Sequence, residues 1–297
     1  MCIMDKKDGD GARQAVVLPW WKRSLTVAGC LALYVCVFFM VAGVLYLLLG
    51  LLRIPGVDDV DSPTSGLLVA EAVMLLATLV AVKVVYELRR LPLSHLGLSL
   101  KGRLSDMLAA FGVAIGLYAV GFGLSCLCGW VRVTDVVFNP SDLLVSLLFF
   151  LLVGLYEEIT VRGFVLGSLL DAGMNRYVAL VLTSLLFSAM HLGNPGLGVL
   201  PLLNLALAGL LLGASYIYTR NLWFPVVLHW FWNYLQGPVL GYEVSGMRFS
   251  GSLLHLEQTG SPLLTGGNFG FEGSLLCTVL LLAGTACVIF YYERRMR

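Results

Sequence analysis

The sequence predicts an all-α fold: a polytopic transmembrane helical bundle of about eight spans with both termini in the cytoplasm. Three observations carry this. The 297 residues are 59% hydrophobic and only 12% charged, with a mean hydropathy of +0.88, whereas an ordinary soluble domain is about 45–50% apolar and about 25% charged. Apolar runs recur at the roughly 17–25 residues needed to cross a bilayer. Lys and Arg collect in alternate connections between those runs, as cytoplasmic loops do.

The runs lie at 24–52, 65–87, 107–131, 142–170, 175–192, 201–219, 222–240 and 274–292. The middle four are interrupted by polar residues, so their ends are less sharp than those of the others. The first is too long for the roughly 7–15-residue core of a signal peptide, and no small-residue cleavage site follows it. Lys6, Lys7, Arg13, Lys22 and Arg23 precede it. Arg89, Arg90, Lys101 and Arg103 follow the second run, and Arg294, Arg295 and Arg297 close the chain. The opposite connections are acidic or nearly uncharged: Asp58, Asp59 and Asp61 with Arg53 alone, then Arg248 alone before the last run. Eight spans with a cytoplasmic N-terminal arm (1–23) and a cytoplasmic tail satisfy this pattern throughout; an odd number does not.

Cys2, Cys30, Cys36, Cys126, Cys128, Cys277 and Cys287 fall mostly in apolar runs and lack the spacing of a zinc knuckle or a secreted disulfide framework. They read as small apolar fillers. With a net charge of +1 and no basic patch, the chain gives no sign of a nucleic-acid partner. The stretch 241–273, with GGNFGFEGS at 266–274, lacks the Lys and Ser/Thr-bearing helix of a phosphate cradle. It is expected to be a flexible, non-cytoplasmic Gly/Ser-rich loop, leaving 274–297 as the last span and its basic tail.

Ionisable residues inside spans are costly and usually mark function. Apart from Glu71 and Lys83, they gather between the fourth and seventh runs as Glu157, Glu158, Arg162, His191, His229 and Asn233. Glu158 and Arg162 are four apart and share a helical face, so they neutralise one another. Glu157 is rotated about 100° away and has no partner at that spacing. An unpaired carboxylate in an apolar setting is suited to taking a proton from water; a packing network of all three is the plain alternative. DAGMNR at 171–176 reads as a turn joining two antiparallel spans. Glu157 and His191 then lie level, each roughly 24–27 Å from the turn at about 1.5 Å per residue. His229 and Asn233 also share a face, and both can donate to an oxyanion; an interhelical hydrogen-bond pair is the alternative. Glu157, His191 and His229 also make a conceivable His₂Glu zinc set with an open position for water, although no HExxH is present. From the residues alone, a metal-bound water and a glutamate-activated one stay equally open.

Three motifs occur in order: EEITVR at 157–162, FSAMH at 187–191 and HWFWN at 229–233. Together they resemble the EExxxR, FxxxH and HxxxN patterns of the CPBP (CAAX protease and bacteriocin-processing, Abi-type) family of intramembrane proteases. The resemblance covers about 142–240, with LSHLGLS at 93–99 similar to a segment that often precedes the core in bacterial members. It implies hydrolysis of a peptide bond within the membrane, in a membrane-associated peptide or protein substrate. By motif position it assigns Glu157 and His191 to water activation and His229 and Asn233 to the oxyanion, with Glu158, Arg162 and Phe187 in support. The family has been described both as metallo- and as glutamate-dependent, so zinc stays open. A non-catalytic immunity or peptide-binding scaffold is the competing function. A transporter is disfavoured because no repeat or matched broken helices are found. The apolar, Gly/Ser-rich style of the chain points to a bacterial inner membrane.

Overall fold

A computed structural model describes residues 3–7, 13–17, 20–52, 63–249 and 251–295. Arg53, Asp58, Asp59, Asp61 and Arg297, on which part of the orientation reading rests, lie outside these residues, as does Cys2. A short antiparallel pair, β1 (Ile3–Lys7) and β2 (Arg13–Val17), comes first. Two long apolar helices follow, α1 (Trp20–Leu52) and α2 (Pro63–Leu88), packed on one another. Then come α3 (Leu104–Leu127), which stops short of the expected span end at 131, and a strand, β3 (Val131–Val136). That strand is rich in β-branched residues and pairs with β4 (Leu254–Gln258).

The central helix starts as α4 (Pro140–Glu158), with the Asn139 side chain accepting from the amides of Ser141 and Asp142 and Pro140 in its first turn. Such a start satisfies amides that have no partner in the helix. It widens into a π-helical stretch at Ile159–Leu166 and ends as α5 (Gly167–Asp171). The expected turn is present: Gly173 takes φ +83° and the Asn175 side chain caps α6 (Arg176–Met190). After α7 (Val199–Gly213) and the short α8 (Tyr216–Thr219) comes α9 (Trp223–Tyr234), which runs into a second π turn at Leu235–Val239. The short α10 (Pro262–Thr265) precedes the last helix, α11 (Leu275–Arg295).

Among the described residues, six helical stretches are long and apolar enough to cross a membrane: 25–52, 66–88, 104–127, 140–171, 199–219 and 275–295. α6 and α9 occupy the expected fifth and seventh spans but are shorter. Outward faces are apolar: Leu25, Phe39 and Leu47 of α1 are 65%, 67% and 63% exposed. A water-soluble protein rarely tolerates so large an exposed apolar surface, and lipid accepts it. Cys36, Cys128 and Cys287 lie on the surface and Cys277 is buried.

Close packing of α6 on α7 depends on small residues. A Cβ on Gly209 would lie 2.7 Å from the Cα of Ser184, and one on Gly213 would lie 2.4 Å from Leu180. GLLLG at 209–213 is therefore a small-xxx-small contact of the kind that brings membrane helices together.

The 241–273 stretch is a correction to the expected flexible loop. Phe269 and Phe271 are each 1% exposed and Thr265 is buried. Its glycines sit where backbones nearly touch: Gly270 has φ +89°, and a Cβ there would fall 1.8 Å from the carbonyl oxygen of Glu243. Glycine richness here reflects conformations and contacts that exclude a side chain, so the segment folds as a cap over one end of the bundle.

Candidate active site

Glu158 is the hub of the buried polar cluster. One of its oxygens, Oε1, accepts from Arg162 Nη1 at 2.7 Å and meets His229 Nδ1 at 2.8 Å. Arg162 and Glu158 are 1% and 0% exposed. The guanidinium also donates to the carbonyl of Gly209 at 3.1 Å and lies 4.6 Å over the Phe187 ring. The expected Glu158–Arg162 pair is thus present, even where the helix widens. Its link to His229 on α9 is an addition that the helical-face reasoning did not contain. A carboxylate accepts only, so Nδ1 of His229 carries a proton and the ring is held with Nε2 turned the other way.

That Nε2 faces Glu157 Oε2 at 3.9 Å. Glu157 is 8% exposed; its Oε1 accepts from the Tyr156 hydroxyl at 3.0 Å, while Oε2 makes no hydrogen bond among the described residues. Glu157 therefore has a neighbour in Tyr156 that the spacing argument missed, and one oxygen left available.

His191 caps the C-terminus of α6, and its Nδ1 lies 2.8 Å from the carbonyl of Phe187, four residues earlier. The carbonyl can only accept, so Nδ1 holds the proton and Nε2 of the neutral ring is an acceptor. This explains the FxxxH spacing physically. Phe187 fixes the histidine through its backbone, while its ring lies 4.8 Å from the His191 ring, 5.8 Å from the His229 ring and 4.6 Å from the Arg162 guanidinium carbon. Asn233, 6% exposed, makes no side-chain hydrogen bond among the described residues.

Glu157, His191, His229 and Asn233 all line one cavity of about 310 Å³. Its other walls are mainly apolar, with Phe149, Phe150, Met190 and Phe249 among them. Two further carboxylates line it. Glu71 comes from α2, outside the expected cluster, and its Oε2 is buried without a hydrogen bond among the described residues; its place inside a span is legible in the sequence, its place at the cavity is not. Glu272 comes from the cap. It accepts from Trp232 Nε1 at 2.9 Å, Gln236 Nε2 at 3.3 Å, and the amide and hydroxyl of Ser245 at 2.9 and 2.8 Å. Nothing in the sequence marked Glu272, since it lies in a glycine-rich loop. Lys83 instead forms an exposed pair with Glu87 and takes no part in the site.

The conceivable zinc set does not come together as placed. Glu157, His191 and His229 share the cavity, but among the described residues no three His, Cys, Asp or Glu side chains converge to hold a metal ion.

The fold and site define a class first: an integral, multi-pass helical membrane protein whose buried carboxylates and imidazoles meet in a cavity. Comparison with known families shows what part of the chain resembles. Residues 139–235, about one third of the chain, match the family model described as Rce1-like, "Type II CAAX prenyl endopeptidase Rce1-like". That segment contains all three motifs, and the match supports the CPBP/CAAX protease family. No curated protein matches the chain. The family points to a protease working on a membrane-associated substrate in a lipid bilayer.

Proposed function

We propose that the protein is an intramembrane endopeptidase of the CAAX-protease type, in which Glu157 and His191 activate water and His229 and Asn233 stabilise the oxyanion. The single observation that carries this is the free Oε2 of Glu157, facing His229 inside a cavity that His191 and Asn233 also line. Glu157 takes a proton from a water that also donates to Nε2 of His191. The water oxygen bonds to the scissile carbonyl carbon, and the carbonyl electron pair moves onto its oxygen. The Asn233 amide and, with both ring protons present, His229 Nε2 donate to that oxyanion. The C–N bond then breaks, and Glu157 returns the proton to the departing nitrogen. The products are a carboxyl group and an amine. Glu158 and Arg162 hold His229 and take no part in proton transfer.

The chain crosses the membrane eight times in this reading, with α6 and α9 as its short fifth and seventh spans and both termini in the cytoplasm of a bacterial inner membrane. Glu157→Gln keeps shape and hydrogen bonding but removes the base. General-base loss lowers turnover by about 10²–10⁴-fold, read on purified protein or by accumulation of uncut membrane proteins in cells. Full biological function in that variant favours the non-catalytic scaffold. The zinc form of the same chemistry is separated by metal analysis: stoichiometric zinc that chelation removes together with activity favours it.

A further inference from the structure

The two ends of the bundle differ in charge, and the cavity belongs to only one of them. At one end, Asp171 accepts from Arg220 Nη2 at 2.9 Å and contacts His95 Nε2 at 2.9 Å, while Asn221 donates to the carbonyl of Ser99. Arg103 and Arg295 reach Asp106 there at 3.0 and 3.4 Å. This end collects the basic residues of 89–103, together with Arg176, Arg220, Arg294 and Arg295. At the other end, β3 pairs with β4 and Asn194 donates to the carbonyl of Ser245. Among the described residues its cations are Arg132 and Arg248, paired with Glu257 and Glu243. Lys and Arg mark the cytoplasmic side of a membrane protein, so the capped end lies on the opposite side.

The cavity opens at the capped end. Asn194, Ser245, Met247 and Arg248 line it from the connections there, and the Arg248 side chain is 82% exposed. Leu67 of α2 and Phe149 of α4 come from the halves of those helices nearer the cap. No lining residue comes from the basic end.

We infer that the site works on polypeptide presented at the non-cytoplasmic face of the membrane. The substrate is a neutral or basic chain with apolar residues flanking the cut. This rests on the protease reading above. The apolar walls accept such side chains. Glu71, Glu157 and Glu272 all line the cavity, and none of them contacts a Lys or Arg among the described residues, so they disfavour an acidic one.

Two measurements test this on the full chain. Single-cysteine variants His255→Cys in the cap and Ser94→Cys at the basic end, in a cysteine-free background, are treated with a membrane-impermeant maleimide in right-side-out vesicles. Labelling of His255→Cys alone is expected; labelling of Ser94→Cys alone overturns the sidedness. In parallel, an impermeant fluorogenic peptide with Leu and Phe around the bond is offered to both vesicle orientations and to detergent-solubilised protein. Cleavage is expected in right-side-out vesicles and in detergent, falling at least about tenfold when Glu flanks the bond. Preferential cleavage in inside-out vesicles, or equal turnover of the Glu-bearing peptide, overturns the substrate assignment. Absence of cleavage even in detergent overturns the protease reading itself, while the labelling still decides which face the cavity meets.

Discussion

Replacing Arg162 by Met removes the guanidinium that contacts Glu158 at 2.7 Å, Gly209 O at 3.1 Å and the Phe187 ring at 4.6 Å. Neither Arg162 nor Glu158 reaches solvent or lipid, at 1% and 0% exposure. Breaking a buried pair from one side costs about 3–5 kcal/mol, because the survivor is left as an uncompensated charge. His229 Nδ1 still donates to the same carboxylate oxygen, which places the expectation at the lower end, about 3 kcal/mol. Adding Glu158→Gln removes the stranded charge as well, so the double variant recovers about half of that loss. The cycle is measured by SDS unfolding of purified protein in mixed micelles, followed by tryptophan fluorescence. A loss under about 1 kcal/mol for Arg162→Met, or single-variant effects that add within about 0.5 kcal/mol, refutes the pair as the structural support of the site.

Three further outcomes follow from the same geometry. His191→Ala is expected to lower kcat by about 10²-fold or more with little change in KM, and the reverse split contradicts its role with water. Gly209→Ala forces α6 and α7 apart at Ser184 and is expected to destabilise by about 1–3 kcal/mol, read as a lowered Tm in detergent; an unchanged Tm contradicts the close helix contact. Gly270→Ala displaces the turn carrying Glu272, so cleavage falls and the emission attributable to Trp232, assigned by comparison with Trp232→Phe, shifts; unchanged emission and turnover together contradict the cap as part of the site.

Local relationships were legible in the sequence. Glu158–Arg162, His191–Phe187 and the Asn175-capped turn all depend on separations of a few residues along one chain segment, where helix geometry fixes neighbours. The position of the bundle in a membrane followed from composition and run length alone. What could not be read joins distant segments: His229 to Glu158, Glu71 to the cavity, and Glu272 to Trp232. The cap is not legible in the sequence because glycine has two physical meanings, freedom in a solvated chain and necessity where φ is positive or backbones touch. Only tertiary contacts tell them apart. GLLLG at 209–213 is a helix-packing motif that spacing alone makes readable.

In the proposed reading, chemistry and selection sit on different pieces of chain. The motif residues stand on helices pinned by a buried ion pair within 139–235, whereas Ser245, Met247, Arg248 and Phe249 at the mouth belong to the cap beyond it. Met247 and Arg248 are held by short turns and surface pairing, with no bond to Glu158 or Arg162. Relatives can therefore diverge in which chains they admit while the reacting groups stay fixed. Exchanging the 244–249 turn between homologues is a direct way to transplant preference without rebuilding the machinery beneath it.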